Sequence, residues 1–394
     1  MRLADRMYRL GTESAFEMLA RARALEATGR KVIHLELGEP DFDTPQHIRD
    51  AAKAALDAGQ THYVPAPGIP PLREAVAKFL GDRGRLDCTP DQVIVMPGAK
   101  PVMYYTIMVL CQEGDEVLYP DPGFPMYESI TAFAGATPVP IPLREENEFR
   151  IDPDELESLV TERTKLLIIN TPHNPCGSAL TQAEIERIAD IAIRHDLIVL
   201  SDEVYWAMPY DDVHRSVLQV DGMKDRTILL DGWSKTFAMT GWRLGFGVFP
   251  QELVEPITRM VINSVSCTSA FSQAAAKAAL EGPWEPVEQM VAEFRTRRDI
   301  VVGGLNAIDG ISCVTPGGAF YAFPSIKELG VTSKEVEGHL LDAAGVACLS
   351  GTAFGQHGEG YLRLSYANSI DNLQAALDAM KASLPNLRAT APAS

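Results

Sequence analysis

Basic charge is what this chain has least of: 35 Lys and Arg stand against 53 Asp and Glu among 394 residues, a net charge of −18 at pH 7. Nucleic acid and anionic membrane surfaces are held through basic patches, so neither is an expected partner. No apolar run reaches the roughly 18 residues that cross a bilayer, and Met1-Arg-Leu-Ala-Asp-Arg6 has no apolar signal-peptide core. The six cysteines, Cys88, Cys111, Cys176, Cys267, Cys313 and Cys348, form no Cys-x-x-Cys pair and have no histidine at a zinc spacing. Free thiols in a cytoplasmic protein are the expectation, with no metal. No Gly-x-Gly-x-x-Gly follows a strand-like run and no Walker-type loop occurs, which excludes the common dinucleotide and nucleoside-triphosphate sites. Internal repeats, low-complexity blocks and a Pro/Gly/Ser linker between halves are missing too.

What remains is ordinary globular material, 46% apolar and 22% charged, and long enough for one large domain plus a smaller one. Apolar runs that read as strands (91–96, 116–120, 165–172, 197–201, 227–230) alternate with helical stretches. Helices are predicted at 12–29, stopped by Gly29, from Pro45 to about Ala58, from Thr181 to about Arg194, and from about Glu285 to Ile308. Late strands are predicted at 317–323 and 361–366, and alternation along the second puts Tyr361, Arg363 and Ser365 on one face. The tail, 389–394, reads as disordered. Strand–helix alternation of this kind predicts a mostly parallel α/β sheet, with ligands at the carboxyl ends of its strands.

The chemistry gathers at those ends. Thr227-Ile-Leu-Leu230 runs into Asp231-Gly-Trp-Ser-Lys-Thr-Phe-Ala-Met-Thr-Gly-Trp-Arg-Leu-Gly245, which delivers Ser234, Lys235 and Arg243 to the mouth of a sheet. In apolar surroundings a lysine's charged form is disfavoured, so its amine becomes a nucleophile for an aldehyde. The run 165–172 leads to Asn174, whose side chain offers an amide donor. The run 197–201 ends in Asp202 and, three residues on, Tyr205; a carboxylate at a buried strand end needs a cationic partner. Pro97-Gly98-Ala99-Lys100 opens a helix, where free N–H groups and the positive dipole end make an anion site suited to phosphate. Phe124 follows a strand end and is either core or a stacking surface. Gly38 lets backbone approach a ligand. Arg363 offers the planar fork that binds a carboxylate.

The Ser-Lys-(seven residues)-Arg spacing, with Gly241 two before the arginine, resembles the cofactor-lysine signature of the aspartate aminotransferase-like, fold-type I, class I/II enzymes that use pyridoxal 5'-phosphate (PLP). Asn174, Asp202 and Lys235, in that order on successive strand ends, are similar to the same family's cofactor residues, and the resemblance spans about Ser14 to Leu384. It implies a three-layer large domain with a mostly parallel sheet (46–284) and a smaller, discontinuous α/β domain (1–45 and 285–394). Lys235 is then the lysine that holds the cofactor aldehyde and moves the proton. Asp202 faces the ring nitrogen, Asn174 and Tyr205 the phenolic oxygen, and Phe124 stacks on the ring. Gly98, Ala99, Lys100, Ser234 and Arg243 hold the phosphate, with Tyr63 reaching in from the partner subunit of a homodimer. Gly38 backbone, Asn174 and Arg363 bind the substrate's α-carboxylate, while Lys100 faces its side chain.

The activity implied is ping-pong transfer of an amino group from an α-amino acid to a 2-oxo acid such as 2-oxoglutarate, with aspartate or glutamate as first candidates. Glu17, on the first helix, is expected near the same pocket, where it would oppose an acidic side chain. Two alternatives share the machinery: a PLP-dependent carbon–sulfur β-lyase, and a PLP-sensing regulatory domain, which normally follows a winged-helix segment. Three positions depart from the family pattern. Gly232 stands where a hydroxyl is common, Cys176 replaces the threonine of Asn-Pro-Thr-Gly, and Ser350 replaces a proline.

Overall fold

The computed structural model describes residues 2–390. Its strands are, in chain order, β1 (Ile33–His34), β2 (Val93–Met96), β3 (Glu116–Asp121), β4 (Thr137–Pro142), β5 (Thr164–Asn170), β6 (Ile198–Asp202), β7 (Thr227–Gly232), β8 (Gly245–Val248), β9 (Tyr321–Ala322), β10 (Val346–Ala347), β11 (Leu349–Ser350) and β12 (Leu362–Ser365). Seven make one sheet in the order β2-β8-β7-β6-β5-β3-β4, parallel except for β8, which runs against both its neighbours. The rest form a parallel pair, β1-β10, and an antiparallel sheet, β11-β12-β9.

The central strands are continuous apolar runs because both faces of the sheet are covered. In β5, Leu166 and Ile168 point into one core and Leu167 and Ile169 into another, all fully buried. Helices Lys100–Leu110 and Gln251–Ser264 cover the first face, and helix Gln182–Arg194 the second. A separate core joins helices Glu285–Asn306 and Ile370–Thr390 to β9 and β12 through Phe294, Leu305, Phe320, Leu364 and Met380. No helix among the described residues is long and apolar enough to cross a membrane.

Several predicted elements shift. The first helix is Ser14–Glu26, with Gly29 beyond it at φ +90°, and the long helix is Glu285–Asn306. The strand predicted at 317–323 shrinks to Tyr321–Ala322, because Ala319 sits at φ +57° and Gly318 and Ala319 turn their N–H groups to Gly177 and Met208. Of the tail predicted as disordered, Ala389 and Thr390 belong to the last helix, and 391–394 lie outside the described residues. Strands β4 and β8 were not legible. The first is Thr-Pro-Val-Pro-Ile-Pro at the sheet edge, where prolines without N–H groups are tolerated. The second hides in the glycine-rich Gly245-Phe-Gly-Val248.

Those glycines position the site. Gly232 and Gly245 face each other across β7 and β8, and a Cβ on Gly245 would collide with the backbone of Gly98 and Ala99. The turn that opens helix Lys100–Leu110 is thereby seated directly against the strand end that delivers Lys235. A Cβ on Gly232 would lie 3.0 Å from Gly245 Cα and 3.0 Å from Leu244 O. A side chain there would need its neighbours to give by a few tenths of an ångström.

Candidate active site

Strands β5, β6 and β7 are neighbours in the sheet, so Asn174, Asp202 and Lys235 come together as their order predicts. They line one cavity of about 630 Å³. The same cavity is lined by Gly38, Ala99, Lys100, Phe124, Tyr205, Ser234, Arg243 and Arg363.

Lys235 is half-buried, and its Nζ donates to Gly38 O. Burial, against the pull of Glu39 and helped by Arg363 and Lys100, lowers its pKa to about 8. A sizeable fraction of uncharged amine is therefore present near neutral pH. Asp202, at the end of β6, is pushed up to about 6 by burial, in spite of the 2.7 Å hydrogen bond it accepts from Tyr127. Among the described residues it has no cation beside it.

Arg363 reaches the cavity from β12. Its Nη1 donates to Asn174 Oδ1 at 3.4 Å and its Nη2 to Glu36 O, while the buried Nε has no partner. Burial lowers its pKa, and its guanidinium lies 4.7 Å from the Tyr321 ring and 4.8 Å from Phe354. Asn174 donates its backbone N–H to Asn170 Oδ1 at 2.9 Å, which fixes the turn after β5. Tyr205 and Tyr321 share a hydroxyl–hydroxyl bond of 2.7 Å on the cavity wall. Tyr361, grouped with Arg363 by alternation, does not join it: its hydroxyl donates to Glu145 at 2.9 Å and its ring stacks on Phe323.

At the other end of the cavity the helix start is an anion cradle. Gly98 stands at φ +96°, and a Cβ there would strike Arg243 Nη2, so glycine is what lets the guanidinium close over the turn. Arg243 itself is at φ +54° and donates to Thr240 O at 2.8 Å. Phe124 stands on the cavity wall edge-on to Tyr127.

Tyr63 is not brought to the cavity; its ring is 89% exposed. Glu17 is also exposed and absent from the wall, and Glu13, one helical turn earlier, occupies the place expected for it, paired with Lys100. Cys176 is buried, and its thiol pKa lies well above the usual range. Ser350 is buried with its backbone N–H on Glu337 at 2.9 Å. Tyr127, Tyr321, Glu13 and Asn170 were missed in the sequence. Tyr127 and Tyr321 lie inside segments whose neighbours were singled out, but only their partners reveal them.

Around one cavity stand an amine of lowered pKa, a buried carboxylate, a glycine turn at a helix start closed over by an arginine, and a second arginine with an unpartnered Nε. The family model described as aminotransferase class I and II matches residues 30–380, and the chain belongs to that family, whose members are PLP-dependent. It is 48% identical over 360 residues to an aspartate aminotransferase of Pyrococcus abyssi, covering 90% of this chain and 92% of that one. It is 44% identical over 385 residues to aromatic-amino-acid aminotransferase 2 of Thermococcus litoralis, covering 97% and 98%. Among solved structures, the aspartate aminotransferase of Thermus thermophilus with maleate superposes with a TM-score of 0.93 at 34% identity, over 97% of this chain and 100% of that one. The chain is a PLP-dependent aminotransferase. Its donor set suits the cofactor: the cation that Asp202 lacks is what a pyridinium offers, and the cradle at Gly98 and Arg243 is of phosphate kind.

Proposed function

We propose that the chain moves an amino group between an α-amino acid and a 2-oxo acid, with aspartate or glutamate and 2-oxoglutarate as partners, and that it does so at the cavity around Lys235. The observation that carries this reading is the pairing of an amine with a pKa near 8 and a buried Asp202 with no cation, on adjacent strand ends. PLP, when bound, supplies an aldehyde for amines and a ring that accepts electrons. The amides of Ala99 and Lys100, with Gly98, Ser234 and Arg243, are its phosphate site. Asp202 would stabilise a protonated ring nitrogen, Asn174 and Tyr205 would hold the phenolic oxygen, and Phe124 would flank the ring.

Lys235 Nζ, released from Gly38 O, takes the proton from the substrate Cα and carries it onward. Arg363 binds the α-carboxylate through the fork whose Nε is unpartnered, with Gly38 backbone and Asn174 beside it. Holding that carboxylate fixes which Cα bond faces Lys235. Lys100 is the candidate for a side-chain carboxylate. The small domain (1–45 and 285–394) carries Arg363 and Gly38, and the large one (46–284) carries the cofactor residues. A homodimer and a cytoplasmic location complete the proposal. The exposed Tyr63 and an open groove beside Arg243, lined by Phe42, Trp242, Val265 and Phe271, support the first. Six unpaired thiols support the second.

The test is the absorption spectrum of the holoenzyme mixed with one amino acid at a time. Aspartate and glutamate are expected to convert the bound aldehyde to its amine form, with release of the matching 2-oxo acid. Pyruvate release from cystathionine, with no 2-oxo acid acceptor, would instead establish the lyase.

A further inference from the structure

One cleft receives different side chains in turn, and a cation that reads a carboxylate is left unpaired by any substrate whose side chain has none unless the protein supplies a counter-charge. Lys100 is that cation. It is the first residue of its helix, where the positive dipole end disfavours an ammonium, and its Nζ lies 5.4 Å from the Phe124 ring centre. Its counter-charge comes from 87 residues away, in the carboxylate of Glu13. Glu13 occupies the N-cap position of helix Ser14–Glu26, yet its side chain accepts from none of that helix's amides. Its side chain is only 21% exposed, against 49% for Lys100, and a carboxylate so withdrawn from water depends on its pairing. Beside the pair the cavity wall is apolar, with Phe16, Leu19 and Met103. Phe16 remains 62% exposed although it faces the cleft.

Resting on the amino-transfer reading, we infer that Glu13 is a specificity-determining residue: it holds on Lys100 the place that a substrate's side-chain carboxylate would take. Uncharged and aromatic side chains enter beside a pair that is already neutral and lie against Phe16, Leu19 and Met103. Aspartate and glutamate enter by displacing Glu13, an exchange of one carboxylate for another on the same ammonium. Without Glu13, an aromatic substrate would leave the Lys100 ammonium unpaired in a partly desolvated cleft, which is unfavourable. Arg23, also on the cavity wall, is the other cation a carboxylate could meet.

The experiment uses holoenzyme in half-reactions with aspartate or phenylalanine alone, so that no acceptor enters, together with succinate binding followed by calorimetry. Glu13→Gln and Glu13→Ala are each expected to raise the aspartate-to-phenylalanine ratio of efficiencies, and to tighten succinate, by roughly 3- to 10-fold, chiefly through half-saturation rather than maximal rate. Lys100→Gln should lower both, and Glu13→Gln added to it should have no further effect. An unchanged ratio and unchanged succinate affinity in both Glu13 variants would overturn the inference. So would loss of the aspartate reaction in Arg23→Gln with Lys100→Gln unaffected. If the wild type converts neither amino acid, the amino-transfer reading fails instead, and succinate binding still reports on the competition at Lys100.

Discussion

Two groups of buried charge lie within a few residues of each other at the ends of β6 and β7, and they are treated in opposite ways. On the cavity side, burial pushes Asp202 and the half-buried Lys235 toward their neutral forms, to about 6 and about 8. Behind them, Asp231 and Glu203 share Arg85, at 2.6 and 2.9 Å, and Glu203 also accepts from His214, Ser216 and Ser201. The paired Glu203 is held down to about 2, while Asp231, with Arg85 as its main stabiliser, still sits near 6 because burial outweighs the pair. Glu203 is thus satisfied by its partners and Asp202, with no cation beside it among the described residues, is not, while Asp231 is ion-paired and still raised.

The largest break in that contrast is Lys235→Ala. Half-reaction rates should fall by ~10⁴-fold or more, in line with loss of a positioned acid–base group, and the protein should lose its cofactor-derived absorption. The apo-protein should not lose stability. A lysine whose folded pKa is near 8 against 10.5 unfolded is penalised at pH 7, and the penalty is relieved only as pH rises from about 8 to 10.5. Thermal melts of the apo variant at pH 7 check the second half.

Arg85→Met attacks the satisfied group. It leaves Asp231 and Glu203 buried without their cation, and should cost about 3–5 kcal/mol in denaturant titration. Adding Asp231→Asn to it should recover part of that loss.

Asp202→Asn sharpens the difference. Activity should drop ~10²-fold, since the amide stabilises no protonated ring nitrogen. Stability of the apo-protein should respond to pH in the opposite sense from a paired carboxylate. Asp202 binds its proton more tightly folded, near pH 6, than unfolded, near 3.8, so its contribution is intact below about pH 4 and is lost as pH rises to about 6. In the variant that share of the slope between pH 4 and 6 should vanish, which melts across that range will measure.

The smallest effect is expected of Tyr205→Phe. It deletes the 2.7 Å bond to Tyr321 at about 1 kcal/mol, with a shifted cofactor absorption as the second readout.

How much of this was legible in the sequence follows from distance along the chain. Asn174, Asp202 and Lys235 each end or closely follow an apolar run, so strand pattern and side chain are read together, and parallel βα topology converges them. Gly98 and Lys100 were legible for the same reason, as a glycine turn opening a helix. Strand β8 was not, because four residues with two glycines carry no period, although its antiparallel insertion seats the turn that opens helix Lys100–Leu110.

The local chain, then, determined which strand ends carry an amine, an acid and an amide, because burial pattern and turn chemistry are short-range properties. Only the tertiary structure decided the partners: Glu13 on Lys100, Tyr127 on Asp202, Tyr321 on Tyr205, Arg363 on Asn174, Arg85 between two acids. These contacts join residues 75 to 189 positions apart. At such separations spacing says nothing, and whether a buried charge is paired or left waiting depends on which elements pack against it.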